Sequence, residues 1–307
     1  MWKQKIILGG KNLQKGIIIS NISDLYHVEL ENDKIYICNA RGKFKENDIS
    51  PVAGDRVEID IIDEQKGTGV ITKIEDRLNE TKRPKMANLT QIILVLSMKL
   101  PKPDLELLDK QLAYCEFMHI KPIIVLNKVD LVDEEVANHI QNVYEKIGYD
   151  VIKTNAKMQI GVEKIKSHLK NNITAFSGNS GVGKSTLINA LFNKERAQEG
   201  MVSSKNKRGK NTTTQVLLYK IQENSYIADT PGFSTFEITE IESTYLCHYF
   251  IEFIPYIEKC EFVGCSHIKE QKCGIKYAIE EGKISQERYD RYCKIYQDLK
   301  QKEAKKW

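Results

Sequence analysis

Two continuous apolar runs constrain the fold of this chain more than any other feature. QIILVLSM occupies residues 91–98, KPIIVLNK occupies residues 121–128, and residues 103–119 between them have the apolar spacing of a helix. Strands that are apolar at every position are buried on both faces, which is typical of a parallel sheet. The chain therefore contains an α/β domain. Further strand candidates follow, namely DVIKTNA, NITAFSG, QVLLYKI and SYIADT.

The residues before this domain have a different pattern. Up to about residue 75, five short alternating apolar stretches are separated by turns rich in Gly, Asn and Asp, which predicts a small barrel or sandwich. After Phe233 the strand pattern ends, and the rest is predicted to be helical. A chain of 307 residues, of which 41% are hydrophobic, can hold several domains. We predict three of them, at 1–73, 74–236 and 237–307.

The residues from Gly178 to Ser185 read GNSGVGKS and match the pattern G-x4-G-K-[ST]. They follow the apolar run NITAFS and precede a helical segment, which is the context of a phosphate-binding loop. Glycines let backbone N–H groups turn towards phosphates, and the helix N-terminus attracts negative charge. We predict that Lys184 reaches the β and γ phosphates and that the Ser185 hydroxyl binds Mg²⁺. The alternative is a glycine-rich turn without a ligand.

A second motif, Asn127-Lys128-Val129-Asp130, follows the apolar strand KPIIVL. The Asp130 carboxylate can accept hydrogen bonds from guanine N1–H and the exocyclic amine, and adenine offers neither donor. The motif therefore predicts selection of guanine over adenine. Asn127 would hold the loop together, and the stem of Lys128 would cover the base. The alternative is a strand end that leads into the helix of DEEVANHIQNVYEKIG.

Two further loops also follow strand candidates. The first, Thr154-Asn155-Ala156-Lys157, is similar to the third base-contacting loop, in which a backbone N–H meets guanine O6, although Asn155 stands where serine is commoner. The second, Asp229-Thr230-Pro231-Gly232, ends the strand SYIADT. There, Asp229 would hold Mg²⁺ through water and the Gly232 N–H would contact the γ-phosphate. A β-turn with Pro at its second position is the alternative for the second loop.

The order of these motifs is unusual, because an ordinary P-loop GTPase has its phosphate loop first and its base-reading loop later. Between the phosphate loop and Asp229 lies KNKRGKNTTTQ (205–215), in which Thr213 or Thr212 could close onto Mg²⁺ and the γ-phosphate. The predicted contacts with GTP come from the residues Asn127, Lys128, Asp130, Asn155, Ala156, Gly178, Asn179, Ser180, Gly181, Val182, Gly183, Lys184, Ser185, Thr186, Asp229 and Gly232.

A cluster of cysteines near the C-terminus predicts a metal site. Cys260, Cys265, His267 and Cys273 offer three thiolates and one imidazole within 14 residues. Zn²⁺ favours such a tetrahedral set, and a closed four-ligand site is structural rather than catalytic. The loop is too polar to fold by apolar burial alone, so the metal would stabilise it. The alternative is a chance group of thiols.

These features together resemble the RsgA (YjeQ/YloQ) family of circularly permuted GTPases of small ribosomal subunit biogenesis. The segments that carry the resemblance are CNARGKF, PVAGDRVEID, RPKMANLTQIILV, the reversed motif order and the cysteine cluster. The resemblance covers essentially the whole chain. It implies a multidomain protein with an N-terminal OB-fold β-barrel, a permuted α/β P-loop GTPase domain and a C-terminal helical zinc-binding domain. It also implies ribosome-stimulated hydrolysis of GTP to GDP and phosphate during late subunit maturation.

The predicted catalytic residues are Lys184, Thr213 and Asn211. Many GTPases orient water with a glutamine just after D-x-x-G, but this chain has Phe233 there. Relatives in the resembled family have a histidine before the threonine run, and this chain has Asn211. An asparagine can orient a water by hydrogen bonding, although it cannot act as a base near neutral pH. The competing interpretation is therefore a GTP-gated RNA- or ribosome-binding switch that hydrolyses little GTP itself.

Charge and composition indicate the setting. The net charge of +4 and the pI of about 8.5 permit an RNA partner, and Lys205, Lys207, Arg208 and Lys210 form a basic segment. We expect Zn²⁺ and Mg²⁺ as cofactors, and GTP, GDP and the small subunit with its rRNA as partners of a monomer. No apolar run has the length of a membrane span, and the odd count of seven cysteines argues against a disulfide framework. We therefore predict a cytoplasmic protein.

Overall fold

The computed structural model describes residues 12–22, 25–41, 44, 50–192, 216–229, 238 and 240–305. The chain divides into two compact units. The first comprises Met1–Leu89, Lys210–Lys220 and Tyr226–Gly232, and the second comprises Thr90–Gly209, Ile221–Ser225 and Phe233–Trp307.

Five strands of the first unit form a closed barrel: β1 (Leu13–Ile22), β2 (Leu25–Leu30), β3 (Ile35–Ala40), β4 (Arg56–Asp63) and β5 (Thr68–Ile74). Their order is β1-β2-β3-β5-β4, and β4 pairs with β1 to complete the ring. Only β3 and β5 are parallel neighbours among these strands. Alternation along each strand buries one face, including Ile18, Val28, Ile59 and Ile71. The predicted N-terminal barrel is therefore confirmed.

A short hairpin follows the barrel, made by β6 (Glu80–Lys82) and β7 (Lys85–Ala87). Its sequence, ETKRPKMA, lacks the long alternation that identifies the other strands, so the sequence pattern predicts no strand here. Below it, the buried carboxylate of Asp55 accepts hydrogen bonds from Arg77 Nε at 2.7 Å and Nη2 at 2.8 Å. The hairpin also contacts the barrel through Ala87 N–H, which donates to Ala53 O at 2.9 Å.

The second unit contains a parallel sheet of β8 (Gln91–Ser97), β9 (Lys121–Asn127), β10 (Asp150–Thr154) and β11 (Ile173–Ser177). The order is β10-β9-β8-β11, and each neighbouring pair is parallel. The helices that connect and follow these strands are α1 (Leu105–Phe117), α2 (Glu134–Ile147), α3 (Val162–Leu169) and α4 (Lys184–Leu191). Because the strands are parallel, the loops after β9, β10 and β11 meet at one edge of the sheet.

Two strands lead to the predicted nucleotide motif that begins at Asp229. They are β12 (Leu217–Gln222) and β13 (Ser225–Asp229), and they are neighbours. Most of both strands belongs to the first unit, in which Leu217 pairs with Ser20 of β1.

The C-terminal part of the second unit is helical, as predicted. Two 3₁₀ helices (Ser243–Tyr249 and Ile251–Phe253) precede α5 (Ile254–Ile257), α6 (Gly274–Glu280) and α7 (Gln286–Ala304). Tyr292 of α7 is 1% exposed and packs edge-on against Phe250 and Phe253. Tyr289 and Tyr296 pack against the same cluster. Across the residues that the structure describes, we find no helix with the length and apolarity to cross a membrane.

Candidate functional site

The predicted phosphate loop connects β11 to α4, which begins at Lys184. Gly178 has φ of 139°, and a Cβ there would lie 2.2 Å from Val95 O, so no other residue fits without moving the neighbouring strand. Ser180, Ser185 and Thr186 are exposed. The loop therefore presents a helix N-terminus and three hydroxyl groups to an incoming phosphate chain.

The Lys184 ammonium lies over the loop itself. Its Nζ donates to Gly178 O at 2.6 Å and to Asn179 O at 3.0 Å. Burial lowers the pKa of Lys184, and among the described residues no carboxylate is paired with its ammonium. A phosphate oxygen would supply the missing negative charge, so a bound phosphate would favour the charged lysine.

Asn127 joins the base-reading loop to the phosphate loop. Its Nδ2 donates to Val182 O at 2.9 Å, and its Oδ1 accepts from Thr154 Oγ1 at 3.1 Å and from Ala156 N at 3.2 Å. The side chain is 2% exposed. A single buried amide thus holds the ends of β9 and β10 and the loop after β11 in one arrangement.

Lys128 and Asp130 lie in the loop that follows β9. Lys128 has φ of 61°, an uncommon conformation for a long side chain, and its Nζ donates to Leu100 O at 2.5 Å and Gly181 O at 2.7 Å. Asp130 is exposed, and its carboxylate has no hydrogen-bond partner within the described ranges. That carboxylate can therefore accept from the edge of a guanine.

Asn155 forms a turn in place of the commoner serine. Its Oδ1 accepts from Met158 N at 3.1 Å, and its backbone exchanges two hydrogen bonds with Ile160, both of 3.1 Å. A serine hydroxyl makes the same kind of turn more weakly. The neighbouring Ala156 N–H, which we predict to meet guanine O6, already donates to Asn127, so a bound base must share that donor.

The remaining predicted nucleotide residues lie in other parts of the sequence. Asp229 ends β13 in the first unit. Asn211, Thr213 and Gly232 lie outside the described residues, as does the basic segment at 205–210, so their roles remain predictions.

The four predicted metal ligands come together, with all ligand atoms within 4.8 Å of one another. A tetrahedral Zn²⁺ with Zn–S bonds of about 2.3 Å and Zn–N bonds of about 2.0 Å separates its sulfurs by about 3.8 Å and each sulfur from the nitrogen by about 3.5 Å. The Sγ atoms of Cys260 and Cys273 lie 3.9 Å apart, and His267 Nδ1 lies 3.5 and 3.4 Å from them. The residues present therefore fit a tetrahedral metal ion.

The surroundings of His267 favour the neutral, ligating form of its ring. Burial lowers the pKa of His267 to about 4, and Nε2 is buried without a hydrogen-bond partner in the described part of the chain. Nδ1 is therefore the nitrogen that faces the sulfurs. Tyr289 Oη donates to His267 O at 2.7 Å and Tyr292 Oη donates to Ser266 O at 3.0 Å, so α7 holds the metal loop in place. The seven cysteines, all of which are described, form no disulfide.

The sequence did not reveal a buried ion cluster on α1. Asp109, which is 0% exposed, accepts from Arg288 Nη1 and Arg291 Nε, each at 2.5 Å, and from Tyr144 Oη at 2.7 Å. Glu252 accepts from Arg288 Nε at 2.7 Å. The only signal in the sequence is a charged residue beside the apolar face of a predicted helix.

Comparison with known proteins agrees with this geometry. The profile of the RsgA GTPase family matches residues 74–239, and that of the RsgA N-terminal domain matches residues 15–71. The small ribosomal subunit biogenesis GTPase RsgA of Ruminiclostridium cellulolyticum is 43% identical over 289 residues, which are 94% of each chain. The corresponding protein of Clostridium botulinum strain Eklund 17B is 44% identical over 95% of this chain and 100% of its own.

Two solved structures are similar over almost the whole chain. The crystal structure of YjeQ from Thermotoga maritima has a TM-score of 0.80 and 36% identity, and covers 94% of this chain and 98% of its own. The crystal structure of YloQ, described as a circularly permuted GTPase, has a TM-score of 0.80 and 34% identity, and covers 98% of this chain and 99% of its own. With a matching profile over more than half of its length, this chain is a GTPase and belongs to the RsgA GTPase family.

Proposed function

We propose that this chain binds the small ribosomal subunit, hydrolyses GTP when the subunit stimulates it, and assists late maturation of that subunit. The relatives named above are small ribosomal subunit biogenesis GTPases, and this chain matches them over nearly their whole length. We also propose the three-domain division at 1–73, 74–236 and 237–307, with the barrel as an RNA-binding surface. We place the protein in the cytoplasm as a monomer.

One observation carries the guanine-nucleotide assignment. Asn127 connects the base-reading loop to the phosphate loop and to the loop after β10 through three hydrogen bonds of 2.9 to 3.2 Å. A side chain with these partners sets the distance between the base pocket and the phosphates. Such a spacing selects a nucleoside with a polyphosphate rather than a free base or a free phosphate.

The proposed roles of the individual residues come from their positions in the sequence motifs. Asp130 accepts from guanine, Lys184 neutralises charge that develops on the β and γ phosphates, and Ser185 with Thr213 holds Mg²⁺. Asp229 and Gly232 contact the metal's water and the γ-phosphate, and Asn211 orients the attacking water. Cys260, Cys265, His267 and Cys273 hold one structural Zn²⁺, which stabilises the polar loop between them.

Hydrolysis of GTP by the purified chain, with and without small ribosomal subunits, tests the function directly. We expect a slow basal rate that small subunits raise strongly, with ATP left unhydrolysed under both conditions. Large ribosomal subunits serve as the control for a general effect of RNA. GTP binding that depends on subunits but is not accompanied by stimulated turnover would instead favour the GTP-gated binding switch.

An Asp130→Asn variant tests the base-reading role separately. An asparagine amide offers a donor to the 2-oxygen of xanthine, where guanine has an amine, so we expect affinity for GDP to fall and affinity for XDP to rise. The matched control is Asp133→Asn, because Asp133 lies three residues further along in the same polypeptide segment and precedes α2. Equal affinities for GDP in the unaltered chain and the Asp130→Asn variant would contradict this role.

A further inference from the structure

Helix α1 touches both the phosphate loop and the C-terminal helix α7, and it does so with different residues. Gln111 and Leu108 lie on one side, where they line a cleft together with Gly178 and Val182 of the phosphate loop. Asp109 and Lys110 lie on the other side and contact α7. Residues 108 and 111 are three apart and therefore share a helical face, whereas 109 and 110 point elsewhere.

The contact with the phosphate loop is polar and buried. Gln111 Nε2 donates to Ser177 Oγ at 2.9 Å, and these residues are 2% and 0% exposed. Ser177 is the last residue of β11 and immediately precedes Gly178. Two turns earlier, Asp104 accepts from Asn179 Nδ2 at 3.1 Å with one carboxylate oxygen, and caps α1 with the other by accepting from Leu107 N at 3.0 Å. The first residues of the loop are therefore attached to α1 at two points.

The contact with α7 is stronger still. Arg288 and Arg291 of α7 both donate to Asp109, and Lys110 Nζ lies 3.2 Å from the carboxylate of Asp298. Further along α1, Ala113 and Tyr114 belong to the apolar cluster of the C-terminal region. Buried ion pairs tolerate little change in geometry, because an unpaired buried charge is costly. A shift of α7 must therefore shift α1.

We infer that α1 couples the phosphate loop to α7 and that Gln111 is a positioning residue for that loop. The inference rests on the proposed nucleotide site and adds a route by which the metal-binding region and the nucleotide affect each other. The route runs through residues of α1. Coupling between two equilibria is reciprocal. A bound nucleotide therefore stabilises the packing of α7 against α1 by the same free energy by which that packing stabilises nucleotide binding.

The test uses the full chain, a fluorescent GDP analogue and amide hydrogen exchange. Gln111→Met keeps the length of the side chain and removes its donor, so Ser177 loses a buried partner. We expect GDP affinity to fall about tenfold, since a broken buried hydrogen bond of this kind is worth roughly one decade in affinity. Gln141→Met is the matched control. Gln141 also donates a side-chain hydrogen bond, to Glu145 at 2.7 Å, but both residues lie on α2. We expect it to leave GDP affinity unchanged.

Hydrogen exchange and a second variant separate coupling from simple loosening of the fold. We expect GDP to slow amide exchange in residues 286–304 of the unaltered chain and to have no such effect in Gln111→Met. Arg291→Gln, which weakens the junction from the α7 side, should lower GDP affinity about threefold in the unaltered chain and add nothing in the Gln111→Met background. Thermal unfolding of each variant, measured in parallel, confirms that the chain is folded.

Three results would overturn the inference. The coupling would be contradicted if GDP binding left amide exchange in α7 unchanged. It would also be contradicted if Arg291→Gln lowered GDP affinity by the same factor in the unaltered chain and in the Gln111→Met variant. Unchanged GDP affinity in a folded Gln111→Met variant would remove the positioning role. An unaltered chain that binds no GDP would overturn the proposed function itself, which distinguishes that failure from the other three.

Discussion

The barrel and the α1–α7 junction each bury one aspartate completely, and the two aspartates have different partners. Asp55 accepts from Arg77, which is 22 residues away, and from Val52 N at 2.8 Å. Asp109 accepts from Arg288 and Arg291, which lie 179 and 182 residues along the chain. The first aspartate fastens a local loop, whereas the second fastens two distant helices. A buried aspartate thus stabilises either local or long-range structure, depending on where its arginine partner lies in the sequence.

The arginines also differ in their contact with water. The Arg77 side chain is 18% exposed, and its hydrogen bond to Asp55 raises its pKa. The Arg288 side chain is 1% exposed. Burial alone would lower the pKa of Arg288, but Asp109 and Glu252 more than offset this and hold it above the usual value. Loss of the partner should therefore be far more costly for Arg288 than for Arg77, because water cannot replace the lost contacts.

Metal removal should give the largest difference between the two regions. A strong chelator should unfold the loop at 260–273 and loosen α6 and α7, because a structural zinc ion contributes about 10 kcal/mol or more. The barrel, whose core consists of apolar side chains, should stay folded. Hydrogen exchange resolved by peptide measures this, and re-addition of Zn²⁺ is the control. Equal loss of protection in barrel and C-terminal peptides would contradict it.

Asp109→Asn should have the next largest effect. It leaves Arg291 without a charged partner and Arg288 with Glu252 alone, and we expect the free energy of unfolding of the second unit to fall by about 3–5 kcal/mol. Denaturant titration followed by hydrogen exchange in α1 and α7 would measure it. A loss below about 1 kcal/mol would show that water reaches the arginines, which the burial of Arg288 argues against.

Asp55→Asn should cost less, about 1.5–3 kcal/mol in the stability of the barrel, because Arg77 can turn towards solvent. The same denaturant titration measures it, this time through barrel peptides. The control is Asp133→Asn, since Asp133 makes no side-chain cap of its helix. If Asp55→Asn destabilised the chain as much as Asp109→Asn, the contrast between local and long-range attachment would fail.

The smallest effect should come from Glu303, which attaches the end of α7 to the 3₁₀ helix at Ser243. Its carboxylate accepts from Ser243 N at 2.6 Å and Oγ at 2.8 Å. Burial alone would raise the pKa of Glu303, but the hydrogen bonds from Ser243 lower it below 4.5 overall. We expect Glu303→Gln to cost about 1 kcal/mol at neutral pH.

This cost should depend on pH in a defined direction. In acid, the unfolded chain binds a proton at Glu303 before the folded chain does, so the stabilisation is complete above pH 4.5 and is lost as the pH falls through the lower folded pKa. The difference between Glu303→Gln and the unaltered chain should shrink over this window in thermal unfolding. A constant difference down to pH 2 would contradict the assignment.

The sequence predicted those features whose residues are close together or strongly periodic. All five barrel strands were predicted from alternation, and the buried parallel strands from their continuous apolar runs. The metal ligands lie within 14 residues, so their spacing alone predicted the cluster. Asn155 stands where serine is commoner in a base-contacting loop, and in the structure its Oδ1 accepts a hydrogen bond from Met158 N.

The α1–α7 junction could not be predicted because its partners are far apart in the chain. Asp109 and Gln111 are two polar residues in a helix whose apolar residues recur at helical spacing. Nothing in the pattern distinguishes a solvated charge from a buried one when the compensating arginines lie about 180 positions later. The β6–β7 hairpin was missed for a different reason, since strands of three residues carry no measurable period.

Gly183 is part of the phosphate loop, and it also affects the base-reading loop. A Cβ at this position would lie 2.2 Å from Asn127 Nδ2, so the missing side chain makes room for the base-reading loop rather than for a phosphate. Any larger residue would push Asn127 away from Val182 O and Ala156 N. A change made in the phosphate loop would then be detected first as poorer discrimination between guanine and other bases.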